Sequence, residues 1–290
     1  MAENVLYLTV SVVLSAGRSI FSKKTACMTP GKGLFFRNQM LLFLAAAVLL
    51  WAADPDAFAG VSGITVGYGV IYGILLIASQ WMYTFAMKIG LTSICSMIYS
   101  FGFLFPTLSG VLFWNEPFTV TNLAGLLLAL SVILLTFRAG DADGAEKGMR
   151  KAFVFSILTA MTASGGLGIM QKIQQSSDAA EEKSAFLILA FLLAFAASGT
   201  AYLFRREKGV KTPARELVYP VLTGLCFGGA NLMNTVLAGR MKSAVFFPLQ
   251  NISTILLCTV CGILIFKEKL TVKTVLVLLA GMAAVTVLSL

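Results

Sequence analysis

The sequence predicts an all-α integral membrane protein with ten transmembrane helices, arranged as two inverted five-helix repeats. Three observations predict it: composition, the spacing of apolar stretches, and an internal repeat. Of 290 residues, 58% are hydrophobic and 12% charged, and mean hydropathy is +0.88. Soluble domains carry about 25% charged residues, and a water-soluble fold of this length has no means of hiding so much apolar surface. The bilayer must therefore be part of the solvent.

Ten apolar stretches are long enough, or nearly so, to span as helices. They run over 4–26, 33–53, 64–87, 91–114, 119–138, 151–173, 184–204, 217–239, 243–266 and 271–289. Most hold about 20 residues, which at 1.5 Å per residue crosses about 30 Å of hydrocarbon. The first is kept as a helix and not read as a signal peptide. A signal peptide has basic residues ahead of its apolar run, whereas here Glu3 precedes and Arg18, Lys23 and Lys24 follow. Most links are short, so consecutive helices are antiparallel neighbours. The longer polar stretches, 138–151, 174–183 and 205–216, are too small for a soluble domain. Two units result, 1–140 and 141–290, each of five helices.

Loop charge predicts orientation. Sixteen lysines and arginines fall in or beside the loops that follow helices 1, 3, 5, 7 and 9. Only Lys172, Lys183, Arg240 and Lys242 attend the even loops, and the second loop carries Asp54 and Asp56. By the positive-inside rule, the basic loops are cytoplasmic and both termini face outward. Single cysteines at Ala2 and Gly209, in a cysteine-free background, should test this with an impermeant maleimide on intact cells. Labelling at 2 and protection at 209 is the expected result, and the reverse pattern inverts the topology.

Sliding the chain by 152 residues lays Trp114-Asn-Glu-Pro-Phe-Thr119 over Phe266-Lys-Glu-Lys-Leu-Thr271. The same shift pairs Ala86 with Ala238, Lys88 with Arg240, Thr107 with Thr259, Gly110 with Gly262 and Glu116 with Glu268. In the first helix of each half, Ser15-Ala-Gly17 lies over Ser164-Gly-Gly166 at a shift of 149. Because five is odd, the second copy enters the membrane upside down. Inverted repeats place a site near the midplane and support alternating access. Glu116 and Glu268 precede helices that Thr119 and Thr271 would cap, so their expected role is structural. Gly69-x-x-x-Gly73 and Gly224-x-x-x-Gly228 are expected to let helices pack closely.

These residues resemble the drug/metabolite transporter superfamily, specifically its EamA-like branch. The resemblance rests on Tyr83-Thr-Phe-Ala86-Met-Lys88, a following helix with Pro106, then Asn115-Glu116-Pro-Phe-Thr119 before Gly125. The second half repeats it as Phe266-Lys-Glu268-Lys-Leu-Thr271 before Gly281, and Arg37 falls where that family often keeps a basic residue. The likeness extends over nearly the whole chain. It implies a ten-helix secondary transporter and is almost silent about substrate. Two departures stand out: Ala16-Gly17 replaces a usual tryptophan-glycine pair, and the loop charges oppose the family's usual cytoplasmic termini.

Polar residues inside the spans carry the functional expectation, because burying them in hydrocarbon is unfavourable unless they face a cavity or a partner. Helix 1 presents Ser11, Ser15, Arg18 and Ser22 on one face. The candidate substrate-binding set is Arg18, Ser15, Tyr72, Gln80, Tyr83, Tyr99, Asn231, Asn234, Gln250 and Asn251. The competing reading is ordinary interhelical hydrogen bonding. Arg18 has two readings, snorkelling toward the interface marked by Lys23 and Lys24, or facing a cavity to hold an anionic group. No Asp or Glu lies in the middle of any span, and the chain has no histidine. That disfavours proton-coupled export of hydrophobic cations on an embedded acid.

The expected function is secondary transport of a small polar or anionic metabolite. The alternative is a multidrug or toxic-compound exporter of the same fold. A third class, a membrane transferase, would need clustered acids or a His/Asp pair, so no enzyme activity is expected. No cofactor or metal is called for; Cys258-x-x-Cys261 sits in an apolar stretch with no second pair. The expected partners are a small-molecule substrate and the lipid bilayer, with no nucleic acid. A multi-pass location in the cell membrane is expected, and a monomer suffices because both repeats lie in one chain.

Overall fold

A computed structural model describes residues 2–28, 31–115, 147–205 and 214–267, with scattered positions within 124–131 and 272–287. Among the described residues there are helices and no strand, and eight segments are long and apolar enough to cross a membrane. In chain order the helices are α1 (Ala2–Cys27), α2 (Lys32–Ala53), α3 (Gly63–Ile89), α4 (Thr92–Ser100), α5 (Leu104–Trp114), α6 (Lys147–Gln175), α7 (Lys183–Arg205), α8 (Ala214–Arg240) and α9 (Ser243–Phe266). They coincide within a few residues with eight of the expected spans. The spans at 119–138 and 271–289, with Glu116, Thr119, Glu268 and Thr271, lie outside the described residues apart from those scattered positions.

One expected span is interrupted. Residues 91–114 form α4, a 3₁₀ turn at Phe101–Phe103, and α5. Pro106 has no N–H to give the carbonyl four residues back, and its ring crowds that carbonyl, so the chain tightens at this point. The Gly102 carbonyl, which Pro106 cannot bond, is packed against Gly165 of α6. A Cβ on Gly165 would lie 2.7 Å from it, so no larger residue fits there without movement. The break thus draws the Ser164-Gly165-Gly166 segment of α6 up against α4 and α5.

α5 and α9 end alike. Asn115 and Lys267 are the positive-φ non-glycine residues among those described, both at φ 52°, and their N–H groups return to Gly110 and Gly262. Each terminates its helix in the left-handed conformation.

Packing pairs helices across the two halves. α1 lies on α8 and α6 on α3; α2 lies on α8 and α7 on α3; α2 and α7 lie on each other. Small residues make these crossings close. Gly17 of α1 meets Cys226, Gly166 of α6 meets Leu75, Gly73 meets Leu193, and Gly224 meets the backbone of Leu42. Phe43, Tyr72, Phe186, Phe191 and Leu76 fill one buried cluster, and Tyr83, Met87, Met97, Phe101 and Phe246 another. Large apolar side chains such as Leu6, Trp51, Ile74, Leu203 and Phe204 face outward, the arrangement of a bundle whose solvent is lipid.

Side-chain contacts at the helix ends establish direction. Lys23, near the end of α1, donates to the carbonyls of Met87 (2.8 Å) and Gly90 (2.5 Å) at the end of α3. Lys172, near the end of α6, donates to the carbonyl of Ala238 (3.4 Å) at the end of α8. Glu3, at the start of α1, is paired with Arg240 at the end of α8 at 3.0 Å and accepts from Tyr7 at 2.8 Å. α8 therefore ends where α1 begins, and α1 and α6 run in opposite directions.

Candidate functional site

Between the helices lies a cavity of about 90 Å³. Its lining comes from α1, α3, α4, α5, α6, α8 and α9, with Phe103 from the 3₁₀ turn. Eight of the ten sequence candidates line it: Ser15, Arg18, Tyr83, Tyr99, Asn231, Asn234, Gln250 and Asn251. Tyr72 and Gln80 stand behind that wall and hold members of it.

Arg18 is the centre of the site, 7% exposed, and it does not reach for the interface. Its Nε and Nη2 donate to Gln80 Oε1 at 3.0 and 2.6 Å, and its Nη1 donates to the Tyr99 hydroxyl at 3.0 Å. Gln80 is itself fixed, donating through Nε2 to Thr84 (3.1 Å) and Ser22 (3.4 Å). The guanidinium carbon lies 3.9 Å from the Phe227 ring centroid, 4.8 Å from Tyr99 and 5.0 Å from Tyr83. Such aromatic faces stabilise a cation without neutralising it. A guanidinium has five N–H donors and three are used here, which leaves two for another acceptor. No carboxylate lines the cavity among the described residues. Arg18 is thus a buried, oriented cation whose charge no described acid cancels.

The remaining walls are polar and interlocked. Ser19 and Ser96 both bond the Tyr83 hydroxyl (2.9 and 3.0 Å), and Ser79 bonds Tyr99 (2.9 Å). Ser11 donates to Asn234 Oδ1, and Gln250 Nε2 donates to Ser15 (3.0 Å). The four polar residues on one face of α1 therefore all turn inward. Elsewhere in the wall, Tyr72 donates to Asn231 Oδ1, and Gln171 Nε2 donates to the Tyr72 hydroxyl at 2.8 Å.

Sequence reasoning missed Gln171, Ser19, Ser164 and the aromatic wall of Phe103, Phe227 and Phe247. A signal for Gln171 existed. It follows Ser164 by seven residues, two helical turns on the same face, as Ser22 follows Ser15. The phenylalanines had none, since an aromatic lining a cavity and one facing lipid read alike in an apolar span.

No family model matches the chain. A solved crystal structure of a protein is similar in fold, with a TM-score of 0.69 over 99% of this chain and 96% of that one at 14% identity. At that identity the likeness is one of architecture.

Proposed function

We propose that the chain is a secondary transporter of a small anionic or polar metabolite, built as two inverted five-helix repeats of the EamA-like kind. The observation that carries the reading is the central cavity in which Arg18 presents spare donors and no acid answers its charge. A guanidinium held on one side by Gln80 and Tyr99 is shaped to receive a carboxylate or phosphate in bidentate fashion on the other. The reading is of a carrier and not an enzyme. Among the described residues, the cavity's lining offers an oriented cation, hydroxyls and amides, without the acid pair that group transfer would need.

Support for the inverted repeat comes from residues that match at the two shifts. Asn115 and Lys267 end their helices identically, 152 residues apart. Lys23 and Lys172, 149 apart, each cap the third helix of their own half, and they do so at opposite ends of the bundle. The pairing of α1 with α8 and of α6 with α3 is unchanged when the halves are exchanged. Exchange of shapes between such halves is the physical basis of alternating access.

The test is ligand stabilisation of the purified protein, followed by counterflow in liposomes. Acetate, benzoate and phosphate at fixed ionic strength are compared with tetraphenylphosphonium. Stabilisation by an anion, with counterflow of the same compound, is expected. Stabilisation by the hydrophobic cation instead would overturn the reading in favour of a drug exporter.

A further inference from the structure

We infer that the substrate is a monoanion carrying a neutral O–H or N–H donor, such as a short hydroxy acid, and that zwitterions are rejected. The inference rests on the reading of Arg18 as the anion anchor and goes further by assigning a hydrogen-bond-accepting subsite to Gln171 and Asn251.

The orientation of both amides is forced. Asn231 Nδ2 faces the Phe227 carbonyl at 2.8 Å, and a carbonyl can only accept. Asn231 Oδ1 therefore points away, toward Gln171, whose Nε2 lies 3.3 Å from it. That sets the NH₂ of Gln171 inward, donating also to Tyr72 and to the Asn231 backbone carbonyl (3.4 Å), and turns its Oε1 to the cavity. Asn251 follows the same logic. Its Nδ2 donates to the Phe247 carbonyl at 2.7 Å, and its Oδ1 is left to the cavity. Neither oxygen has a hydrogen-bond partner among the described residues, and neither is sealed from the cavity. The site thus has a donor pole at Arg18 and an acceptor pole at two locked amide carbonyls. A ligand that satisfies both must accept through one group and donate through another.

Charge decides which donor. Arg18 is the one side chain in the described lining that is ionised at neutral pH. The chain has no histidine and no acid in the middle of any span. A monoanion on Arg18 makes the occupied cavity neutral. A zwitterion would answer Arg18 with its carboxylate but take its ammonium out of water into a lining whose described residues hold no acid to pair it, and a dianion would leave one negative charge. An uncompensated charge at this depth is unfavourable. A hydroxyl or amide N–H meets the two carbonyls without disturbing neutrality.

Lactate, propanoate and alanine share a three-carbon skeleton and differ at the second carbon by a hydroxyl, a hydrogen and an ammonium. Apparent affinities of each for the purified full chain are read from thermal stabilisation at fixed pH and ionic strength. Lactate should bind about 3- to 10-fold more tightly than propanoate, the span of one ordinary net hydrogen bond, and alanine more weakly than either. Asn251→Leu, which removes a bond only within α9, should shrink the ratio of lactate to propanoate affinity toward one; Gln171→Met should act in the same direction. Alanine binding as well as lactate would overturn the charge argument. Equal lactate and propanoate affinities, both lost in Arg18→Leu, would overturn the acceptor pole while the anion anchor stands, as would binding of phosphate alone. Responses to the acids that survive Arg18→Leu would overturn both.

Discussion

Replacing Arg18 with leucine should abolish anion-dependent stabilisation and transport while the protein still folds and inserts. The leucine has no donor to offer, and losing one partner of a buried charged pair typically weakens binding by about 2–5 kcal/mol, roughly 30-fold to several thousandfold. The fold should tolerate the change, because the uncompensated buried charge leaves with the side chain and Gln80 keeps its Nε2 bonds to Ser22 and Thr84, the loss being the two donors to Gln80 Oε1. Arg18→Lys is the sharper variant. An ammonium keeps the charge but not the plane, and it cannot serve Gln80 twice, bond Tyr99 and hold two ligand oxygens at once. About a tenfold loss of anion affinity, with the unfolding midpoint near wild type, is expected. Wild-type affinity in the lysine variant would remove Arg18 from the binding site.

The largest effect on stability should come from Gly224→Ala. A Cβ at this position would sit 2.1 Å from the Leu42 carbonyl oxygen and 2.9 Å from Ala45 Cβ. The near neighbour is helix backbone, which cannot rotate away as a side-chain tip would, so α8 must separate from α2. Overpacking of this kind costs about 1–3 kcal/mol, and more where backbone must move. A lowered thermal unfolding midpoint is expected. Gly199→Ala is the matched comparison, since its Cβ would meet only Met40 Sδ at 3.5 Å, an ordinary contact. Equal midpoints for Gly224→Ala and wild type would show that the close crossing of α2 and α8 is not a stability determinant.

The positions of the eight described spans were legible because a bilayer imposes a simple rule: each crossing needs about 20 apolar residues whose backbone satisfies itself. The expected helix at 243–266 coincides with α9, and those at 33–53 and 184–204 agree with α2 and α7 within a residue. The rule is blind to interruptions inside an apolar stretch, so the 3₁₀ turn at Phe101–Phe103 did not show. Pro106 was visible, but a proline three residues into a helix is compatible with an unbroken span, and only the tertiary structure shows that the turn packs against Gly165.

The site divides in the same way. Composition and depth by themselves marked the residues that must face something other than lipid, because a guanidinium or an amide in hydrocarbon is unfavourable wherever it points. That argument named Arg18, Asn231, Asn234, Gln250 and Asn251 without any coordinates. It left Arg18 divided between interface and cavity, since both relieve the same penalty. Tertiary structure decided for the cavity by setting Gln80 and Tyr99 on the guanidinium. It also separated lining from support. Tyr72 and Gln80 are as polar as their neighbours, yet they sit one layer back, because hydrogen bonding across helices satisfies a buried group as fully as a ligand would. Burial cost is a property of a residue and its depth, so sequence reports it. What a buried group is turned toward depends on which helices cross beside it, and those crossings are made by contacts between residues far apart in the chain, such as Gln250 with Ser15, 235 positions away.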